Sequence, residues 1–406
     1  MRTLSVRSVA ILTSAALAPI VVALAPTGAP ASAAPVAGNW HGGGGLTAVT
    51  ILSGSSLTYS FTVAGTSTVS SEPLSSPDDI TRLGSDIFVT FQNGVGPQGQ
   101  ANGNGSLDST VVEMTLSGQP IAQWDIQGKA DGVTADPDAH MVIATVNEDA
   151  NSSLYVITPG PGGGVQHYSY NEALPHNGGT DAISVLGGRL LISASAPGTT
   201  GSLPAPQASF PAVYSVTLDR RDSVATVTPF FGDEDPAVVA NLGMPQTGQT
   251  VQLALTDPDS NEIVPQDGPR FAGDFMLTSQ GDQEQIFVGN PWGPDHKLSV
   301  LSLSQSVDDT AWPDGVRGIL YATDSTNDAV DAVTGDFPGG PVVAVTPCGA
   351  NSAPATCPAP PAYPANYLGA LNRWTGQVTA LTVGGTAFVP QGGLLFVGGR
   401  DGQGQP

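Results

Sequence analysis

The chain has 406 residues, of which 35 are acidic, 12 are basic and 5 are histidines, so its formal net charge at pH 7 is −23. This charge argues against nucleic acid and membranes as partners, because binding phosphate groups requires lysine and arginine. Only 12% of the residues are charged, whereas glycine and proline number 51 and 35. Such a composition is typical of many short strands joined by tight turns.

Residues 1–34 have the pattern of a secretory signal peptide. Arg2 and Arg7 precede an apolar stretch at 9–24, and Ala31-Ser32-Ala33 forms a small-residue cleavage pattern. The alternative is a retained membrane anchor, but proline and glycine after Leu24 shorten the apolar run below spanning length. We therefore expect a secreted protein in which residues 35–406 form a single domain.

The most informative feature of the chain is a repeated hairpin. Each copy has an aspartate, an apolar strand, a short polar or glycine-containing link and a second apolar strand. The copies begin at Asp79, Asp131, Asp181, Asp274 and Asp309. Repetition of this kind predicts an all-β fold of the propeller type, in which one four-stranded sheet recurs around an axis.

The spacing of the copies predicts the number of blades. Intervals of about 50 residues, from Asp79 to Asp131 and on to Asp181, match one four-stranded sheet. The interval to Asp274 is longer, and we interpret residues 251–264 as an inserted hairpin, which gives six blades; an additional blade there would give seven. Within it, residues 257–262 carry oxygen-bearing side chains at alternate positions like part of a calcium loop, but without the glycine and distant glutamate of an EF-hand, and we interpret them as a turn. Strands at 47–52 and 57–63 are expected to pair with the last copy, at 386–398, and thereby close the ring.

Two cysteines lie near the C-terminal end of the chain. Cys348 and Cys357 are separated by eight residues. In a secreted chain such a pair is expected to form a disulfide. We predict that it pins an insertion around residues 336–365.

The repeated aspartates are also candidate metal ligands. If Asp79, Asp131, Asp181, Asp274 and Asp309 all begin innermost strands, their carboxylates converge on the axis and repel one another. A hard divalent cation with oxygen ligands, calcium rather than magnesium, would relieve that repulsion. The alternative is that each aspartate accepts hydrogen bonds from backbone amides of its own turn and needs no ion.

The hairpins resemble those of six-bladed propellers of the NHL, senescence marker protein/gluconolactonase and paraoxonase-like kind, and the chain resembles secreted actinobacterial propeller proteins. Pro77-Asp78-Asp79-Ile80 is similar to the Asn-Asp-Ile segment of the lactonases, and Asp131-Gly132-Val133 to their Asn-Gly-Ile segment. Asp181 occupies the matching place in the next blade. The resemblance implies an axial calcium ion, although the catalytic histidine pair of paraoxonases has no counterpart.

Two functions remain open after the motif search. The chain has no Gly-x-Ser-x-Gly elbow, phosphate loop, zinc motif or dinucleotide fingerprint. The first hypothesis is a monomeric, secreted binding module for a small molecule, glycan or protein, with an acidic channel that takes calcium. The alternative is a calcium-dependent lactonase or ester hydrolase with Asp79, Asp131 and Asp181 as ligands. His176 is its candidate general base.

Overall fold

The computed structural model describes residues 45–174, 178–195, 197, 210–293, 296–313, 315, 317–346 and 366–399. In these ranges the chain is all-β, as predicted, and its one helical element is a 3-10 turn at Gly54–Ser56. None of the described segments is a helix that is long and apolar enough to cross a membrane. The first strands are β1 (Leu46–Ser53), β2 (Thr58–Thr62) and β3 (Val69–Pro73).

Most of the fold consists of units of four antiparallel strands. Units 1 to 3 each use four consecutive strands: β4 (Pro77–Leu83), β5 (Asp86–Phe91), β6 (Asp108–Thr115) and β7 (Pro120–Gln127); β8 (Ala130–Asp136), β9 (Met141–Val146), β10 (Ser153–Thr158) and β11 (Gly164–Tyr170); and β12 (Gly179–Leu186), β13 (Arg189–Ser195), β14 (Pro211–Asp219) and β15 (Val224–Gly232). Units 2 and 3 join into one eight-stranded sheet, because Ser169 and Tyr170 of β11 pair in parallel with Val224 and Ala225 of β15.

Unit 4 carries an added hairpin at its outer edge. Its strands are β16 (Pro236–Val239), β17 (Thr250–Gln252), β18 (Pro258–Ile263), β19 (Phe275–Ser279), β20 (Glu284–Gly289) and β21 (Lys297–Ser302). The sheet order is β17-β16-β21-β20-β19-β18, so β18 is its first strand and β16 pairs in parallel with β21. The long interval after Asp181 therefore contains an inserted hairpin, as expected, but that hairpin is β16–β17 and not residues 251–264.

The assignment of Asp274 to a first strand is wrong. Asp274 immediately precedes β19, which is the second strand of unit 4. Every residue of β19 is buried, so its apolar run looks like the start of a repeat. The actual first strand, Pro-Asp-Ser-Asn-Glu-Ile, is mostly polar and was read from the sequence as a turn.

Units 5 and 6 are interleaved along the chain. Their strands are β22 (Val307–Ala311), β23 (Gly318–Asp324), β24 (Ala329–Thr334), β25 (Val342–Val345), β26 (Tyr367–Leu371), β27 (Val378–Ala380), β28 (Val383–Gly385) and β29 (Leu394–Gly398). Unit 5 has the order β22-β25-β26-β27, and unit 6 has the order β28-β1-β24-β23-β29. The predicted hairpin between the Asp309 strand and the strand at 318–324 is therefore wrong, because β22 pairs with β25.

The two ends of the described chain meet in unit 6. Strand β1 pairs with β24 and lies in the same sheet as β29, as the sequence predicted for the N-terminal strand. The second predicted N-terminal strand has a different partner, because β2 pairs with β3 in a separate two-stranded sheet.

The first strands of the six units form a closed ring, in which each strand contacts the next. The order around the ring is β4, β8, β12, β18, β22 and β29, and β29 contacts β4. An apolar cluster fills each junction between neighbouring units, and Ile143 and Val142 of β9 belong to two different clusters. Strands buried on both faces explain the near-continuous apolar runs in the sequence. A ring of four-stranded sheets with buried interfaces is the architecture of a β-propeller.

Candidate functional site

Five first strands carry the same interruption of their pairing. In β4, β8, β12, β18 and β22, two consecutive residues are skipped in the register with the neighbouring strand. The first skipped residue is an aspartate in every case. We call these five residues the axial ring: Asp78, Asp131, Asp181, Asp259 and Asp308. A bulge redirects side chains at the point where pairing stops, which explains how β-strands aim carboxylates at a common centre.

The axial ring lines a cavity of about 60 Å³. Unit 6 contributes Gly392 and Gly393 in place of an aspartate. Neither position tolerates a side chain, because an added Cβ at Gly392 would lie 2.3 Å from the backbone oxygen of Asp78. The cavity is therefore walled by carboxylates on five sides and by backbone on the sixth.

Backbone oxygens of the ring are held by hydroxyl groups of the preceding unit. Thr145 donates to the carbonyl oxygen of Asp181 at 2.5 Å, and Ser193 donates to that of Asp259 at 2.8 Å. Thr323 closes the series with a bond to the carbonyl oxygen of Asp78 at 2.5 Å. These bonds fix the position of one unit's aspartate relative to its neighbour.

The predicted site residues divide into three groups. Asp131 and Asp181 lie on the axial ring. Asp79 and Asp309 line the same cavity one position later, but their carboxylates accept backbone amides of the next unit: Asp79 Oδ2 from Val133 at 2.6 Å and Asp309 Oδ2 from Leu394 at 2.6 Å. Asp274 does not line the cavity. His176, Cys348 and Cys357 lie outside the described residues.

Sequence reasoning missed three members of the ring. Asp78 and Asp308 are each followed by another aspartate, and in both pairs the second residue was chosen. Asp259 was assigned to a turn, although Pro258-Asp259 repeats the Pro77-Asp78 pair that begins β4. Alignment of Pro258 with Pro77 would have identified Asp259 as the equivalent of Asp78. Which aspartate of an Asp-Asp pair belongs to the axial ring depends on the position of the bulge, which the sequence does not show.

One side of the cavity brings together the cation corner, which we define as Asp131, Glu148 and Asp181. One carboxylate oxygen from each residue lies within 4.8 Å of the other two. Three points within that limit lie at most about 2.8 Å from a common centre, which is compatible with the 2.3–2.6 Å of calcium–oxygen bonds. The corner can therefore accommodate an ion of the size of calcium.

Glu148 reaches the corner from the loop after β9. That loop packs directly against the start of β12, where an added Cβ at Gly179 would lie 1.8 Å from the backbone oxygen of Glu148. Asn147, in the left-handed region at φ 70°, turns the chain before Glu148. The turn and the glycine contact thus place a loop carboxylate beside two strand carboxylates.

Lys129 is the one lysine at the cavity, and the whole chain has two. Its Nζ lies 2.9 Å from Asp131 Oδ1 and also contacts Glu148 Oε1. Its backbone N–H donates to Asn147 Oδ1 at 2.9 Å, and its carbonyl accepts from the Asn147 N–H at 2.8 Å. Asn147 therefore positions both partners of the ion pair.

Asp131 is only partly satisfied by these contacts. Its Oδ1 accepts from Lys129 and from Gln92 Nε2 at 3.2 Å. Its Oδ2 is buried and has no hydrogen-bond partner among the described residues, although the residue as a whole is 3% exposed. Buried polar atoms are nearly always paired, so a carboxylate oxygen left open beside a cavity points to a bound ion or water.

Electrostatics at the corner is dominated by burial and like charge. Burial raises the pKa of Asp181 well above its usual value, the charges of Asp131 and Glu148 raise it further, and Lys129 lowers it. For Lys129 burial opposes the charged form, but the charges of Asp131 and Glu148 more than offset this and raise its pKa. The single positive charge of Lys129 therefore does not neutralise the negative charge of the carboxylates around it.

The side of the cavity next to Asp181, formed by Asp259 and Asp308 and called here the paired side, is arranged differently. Asp308 Oδ2 accepts from the Gly392 N–H at 2.6 Å and Oδ1 from Gln280 Nε2 at 2.9 Å. Asp259 is hydrogen-bonded to Asp308, and burial followed by the charge of Asp308 raises the pKa of Asp259. A protonated Asp259 that donates to Asp308 relieves the repulsion between these two carboxyls without a metal, and Asp259 Oδ2 has no hydrogen-bond partner in the part of the chain that the structure describes.

No family model matches the chain, and no curated protein matches it. Solved structures similar to the chain include a periplasmic gluconolactonase from Pseudomonas aeruginosa, with 13% identity, a TM-score of 0.41 and coverage of 82% of this chain and 93% of that one. A streptogramin B lyase has 12% identity, a TM-score of 0.38 and coverage of 83% and 90%. A putative 6-phosphogluconolactonase from Bacteroides uniformis has 10% identity, a TM-score of 0.36 and coverage of 77% of this chain and 100% of that one. At these TM-scores the similarities support no transfer of function.

Proposed function

We propose that the protein is a secreted, monomeric, six-bladed β-propeller that binds a divalent cation, calcium in preference to magnesium, at the cation corner of its axial cavity. In this proposal the loops and edges of the propeller bind a small molecule, glycan or protein. Six units with first strands in a closed series favour six blades over seven. The observation that carries the cation site is the buried, unpartnered Asp131 Oδ2 among converging carboxylates.

The donor set fits calcium chemically as well as geometrically. Calcium accepts six to eight oxygen ligands in flexible arrangements, whereas magnesium requires near-ideal octahedral geometry and retains several waters. Asp131, Glu148 and Asp181 supply carboxylate oxygens only. Within a 60 Å³ cavity there is space for an ion with a few waters, whereas pockets for organic ligands typically enclose about 300–1,000 Å³.

A second concave region is large enough for an organic ligand. A groove of about 390 Å³ runs between Pro338–Gly340 and the end of β26, bordered by Asn372, Gln377 and Trp374. Trp374 is 43% exposed, and the guanidinium of Arg270 lies 4.8 Å from its ring. An indole supported on one face offers the other face to a flat apolar surface such as that of a sugar ring. We place the small-molecule or glycan site here.

The cation proposal is tested by thermal unfolding of the secreted form in excess EDTA, then with calcium or magnesium added. A ligand that binds only the folded state at 100 times its dissociation constant stabilises that state by about 2.7 kcal/mol. We expect calcium to raise the midpoint by several degrees and magnesium by less. Equal midpoints in EDTA and in millimolar calcium would remove the cation site from the proposal.

The groove is tested separately by affinity electrophoresis in gels that contain soluble starch, xylan, mannan or β-glucan. Retardation that is lost in Trp374→Ala would support the glycan site. Trp292→Ala is a matched control, because Trp292 is also exposed, at 37%, but packs against Phe230 and Arg189 elsewhere. No retardation in any gel would leave a small molecule or protein as the partner.

The hydrolase hypothesis has one favourable observation. Asp259 lies on the first strand next to that of Asp181, and burial followed by the charge of Asp308 raises its pKa, so it is a candidate general acid. The size of the cavity is against it, since a lactone would have to bind at the mouth and not inside. A panel of lactones and esters, assayed with calcium and with EDTA, tests this role. Calcium-dependent turnover that is lost in Asp131→Asn would favour the hydrolase over the binding module.

A further inference from the structure

We propose that Lys129 is the resident cation of the axial cavity and makes the cation corner selective for divalent over monovalent ions. The inference rests on the proposed function, because it assumes that the corner binds a divalent ion. It concerns a residue that no sequence motif singled out.

The position of Lys129 is the first argument. Its Nζ contacts two of the three carboxylates of the corner, Asp131 and Glu148, and its backbone is clamped by two hydrogen bonds to Asn147. Its side chain is 16% exposed, so the ammonium is largely shielded from water beside the carboxylates that it contacts. The other lysine of the chain, Lys297, is exposed at the start of β21. The lysine at the ring is therefore a built-in positive charge in a site otherwise made of carboxylates.

An ion that binds the corner must displace this ammonium. The metal and Nζ would share the carboxylates of Asp131 and Glu148, each of which places one oxygen within 4.8 Å of the other. Two cations held by the same pair of carboxylates are only a few ångströms apart and repel strongly where water is scarce. We therefore expect ion binding to break the Lys129 ion pairs.

The exchange favours a divalent ion for two reasons. A sodium or potassium ion carries the same charge as the ammonium, and the tethered lysine is present at a high effective concentration, so a free monovalent ion gains nothing by replacing it. A divalent ion carries twice the charge. It also engages the Asp131 Oδ2 and Asp181 oxygens, with which Lys129 forms no hydrogen bond or ion pair among the described residues.

The test compares wild type with Lys129→Gln and Lys129→Met. Calcium affinity is measured by competition with a chromophoric chelator, and thermal midpoints are measured in sodium chloride and in tetramethylammonium chloride at equal ionic strength. We expect both variants to bind calcium about 10- to 100-fold more tightly, because a competing charge has been removed. We also expect the thermal midpoints of both variants to be higher in sodium chloride than in tetramethylammonium chloride. For wild type we expect equal midpoints in the two salts.

Two further variants control for charge and folding. Lys297→Gln removes the same charge from an exposed position and is expected to match wild type in both measurements. Lys129→Arg keeps the competing charge, so it is expected to fold and to bind calcium no more tightly than wild type. If Lys129→Gln and Lys129→Met fail to fold, calcium binding by Lys129→Arg that is tenfold or more tighter than by wild type overturns the inference.

The outcomes separate this inference from the proposed function. Calcium binding by wild type with unchanged or weaker binding by Lys129→Gln overturns the role of Lys129 and leaves the cation site in place. Calcium binding by Lys129→Gln or Lys129→Met alone supports Lys129 as the resident cation and overturns calcium binding by the natural protein. Absence of calcium binding in every variant overturns both.

Discussion

The two sides of the axial cavity carry aspartates at equivalent positions of equivalent strands, yet their carboxylates are satisfied in different ways. On the paired side, Asp308 accepts a backbone amide and a glutamine, and Asp259 shares a hydrogen bond with it. Each side has one buried oxygen without a hydrogen-bond partner among the described residues, Asp259 Oδ2 and Asp131 Oδ2, but at the cation corner Asp131 pairs with a lysine and Asp181 faces other carboxylates. The repeat thus determines where a carboxylate lies, and its neighbours determine whether it needs a cation.

The largest effect is expected from Asp131→Asn. This change removes a charge and the open carboxylate oxygen from the cation corner while its volume is kept. We expect the calcium-induced rise in the thermal midpoint to disappear, which corresponds to about 2.7 kcal/mol at 100 times the dissociation constant. Asp308→Asn is the matched change on the paired side and should keep the calcium response. Loss of the response in both variants would mean that the two sides act as one site.

Asp308→Ala is expected to destabilise the protein with or without calcium. It leaves the Gly392 N–H and the Gln280 amide without their acceptor, and an unsatisfied buried donor costs about 1–3 kcal/mol. Asp259→Asn should be milder, because an amide N–H can still donate to Asp308. Urea unfolding in EDTA and in calcium measures both. A calcium-dependent difference for Asp308→Ala would contradict its assignment to a metal-free side.

A smaller effect is expected from Thr145→Val, which removes the hydroxyl that donates to the carbonyl oxygen of Asp181. Such a bond contributes about 0.5–1.5 kcal/mol to stability. Because it also positions Asp181 at the corner, the calcium response should weaken. Thr145→Ser retains the hydroxyl and should restore the response. An unchanged calcium response in Thr145→Val would show that the bond supports the backbone alone.

The last prediction concerns an acid outside the axial ring, and its effect depends on pH and not on calcium. Burial, with help from Asp282, raises the pKa of Glu284 on β20 from 4.5 to about 7. A raised folded-state pKa contributes stability that is complete below the unfolded value and is lost as pH rises towards 7. Glu284→Gln should therefore flatten the decline in unfolding free energy between pH 4.5 and 7. Calcium should not alter that flattening, as urea titrations at several pH values would show.

Much of the fold was predictable because burial on both faces leaves a local signal. The hairpins predicted at Asp79, Asp131 and Asp181 coincide with β4–β5, β8–β9 and β12–β13, whose second strands are buried along nearly their whole length. The interleaving of β22 to β25 was not predictable, since the expected partner of β22, β23, and its actual partner, β25, are both almost completely buried apolar strands. Chain order favours the nearer partner, whereas packing selected the more distant one.

By itself the sequence determined the all-β class, the repeat and the acidity of the strand starts, because alternation, glycine turns and charge are properties of short segments. It also identified Asp131 and Asp181. Tertiary structure alone decided which aspartate of each Asp-Asp pair belongs to the axial ring, since the position of the bulge sets the direction of successive side chains. It also decided that Glu148 and Lys129 meet at Asp131, because a loop brings Glu148, 17 residues along the chain from Asp131, into contact with it and with Lys129.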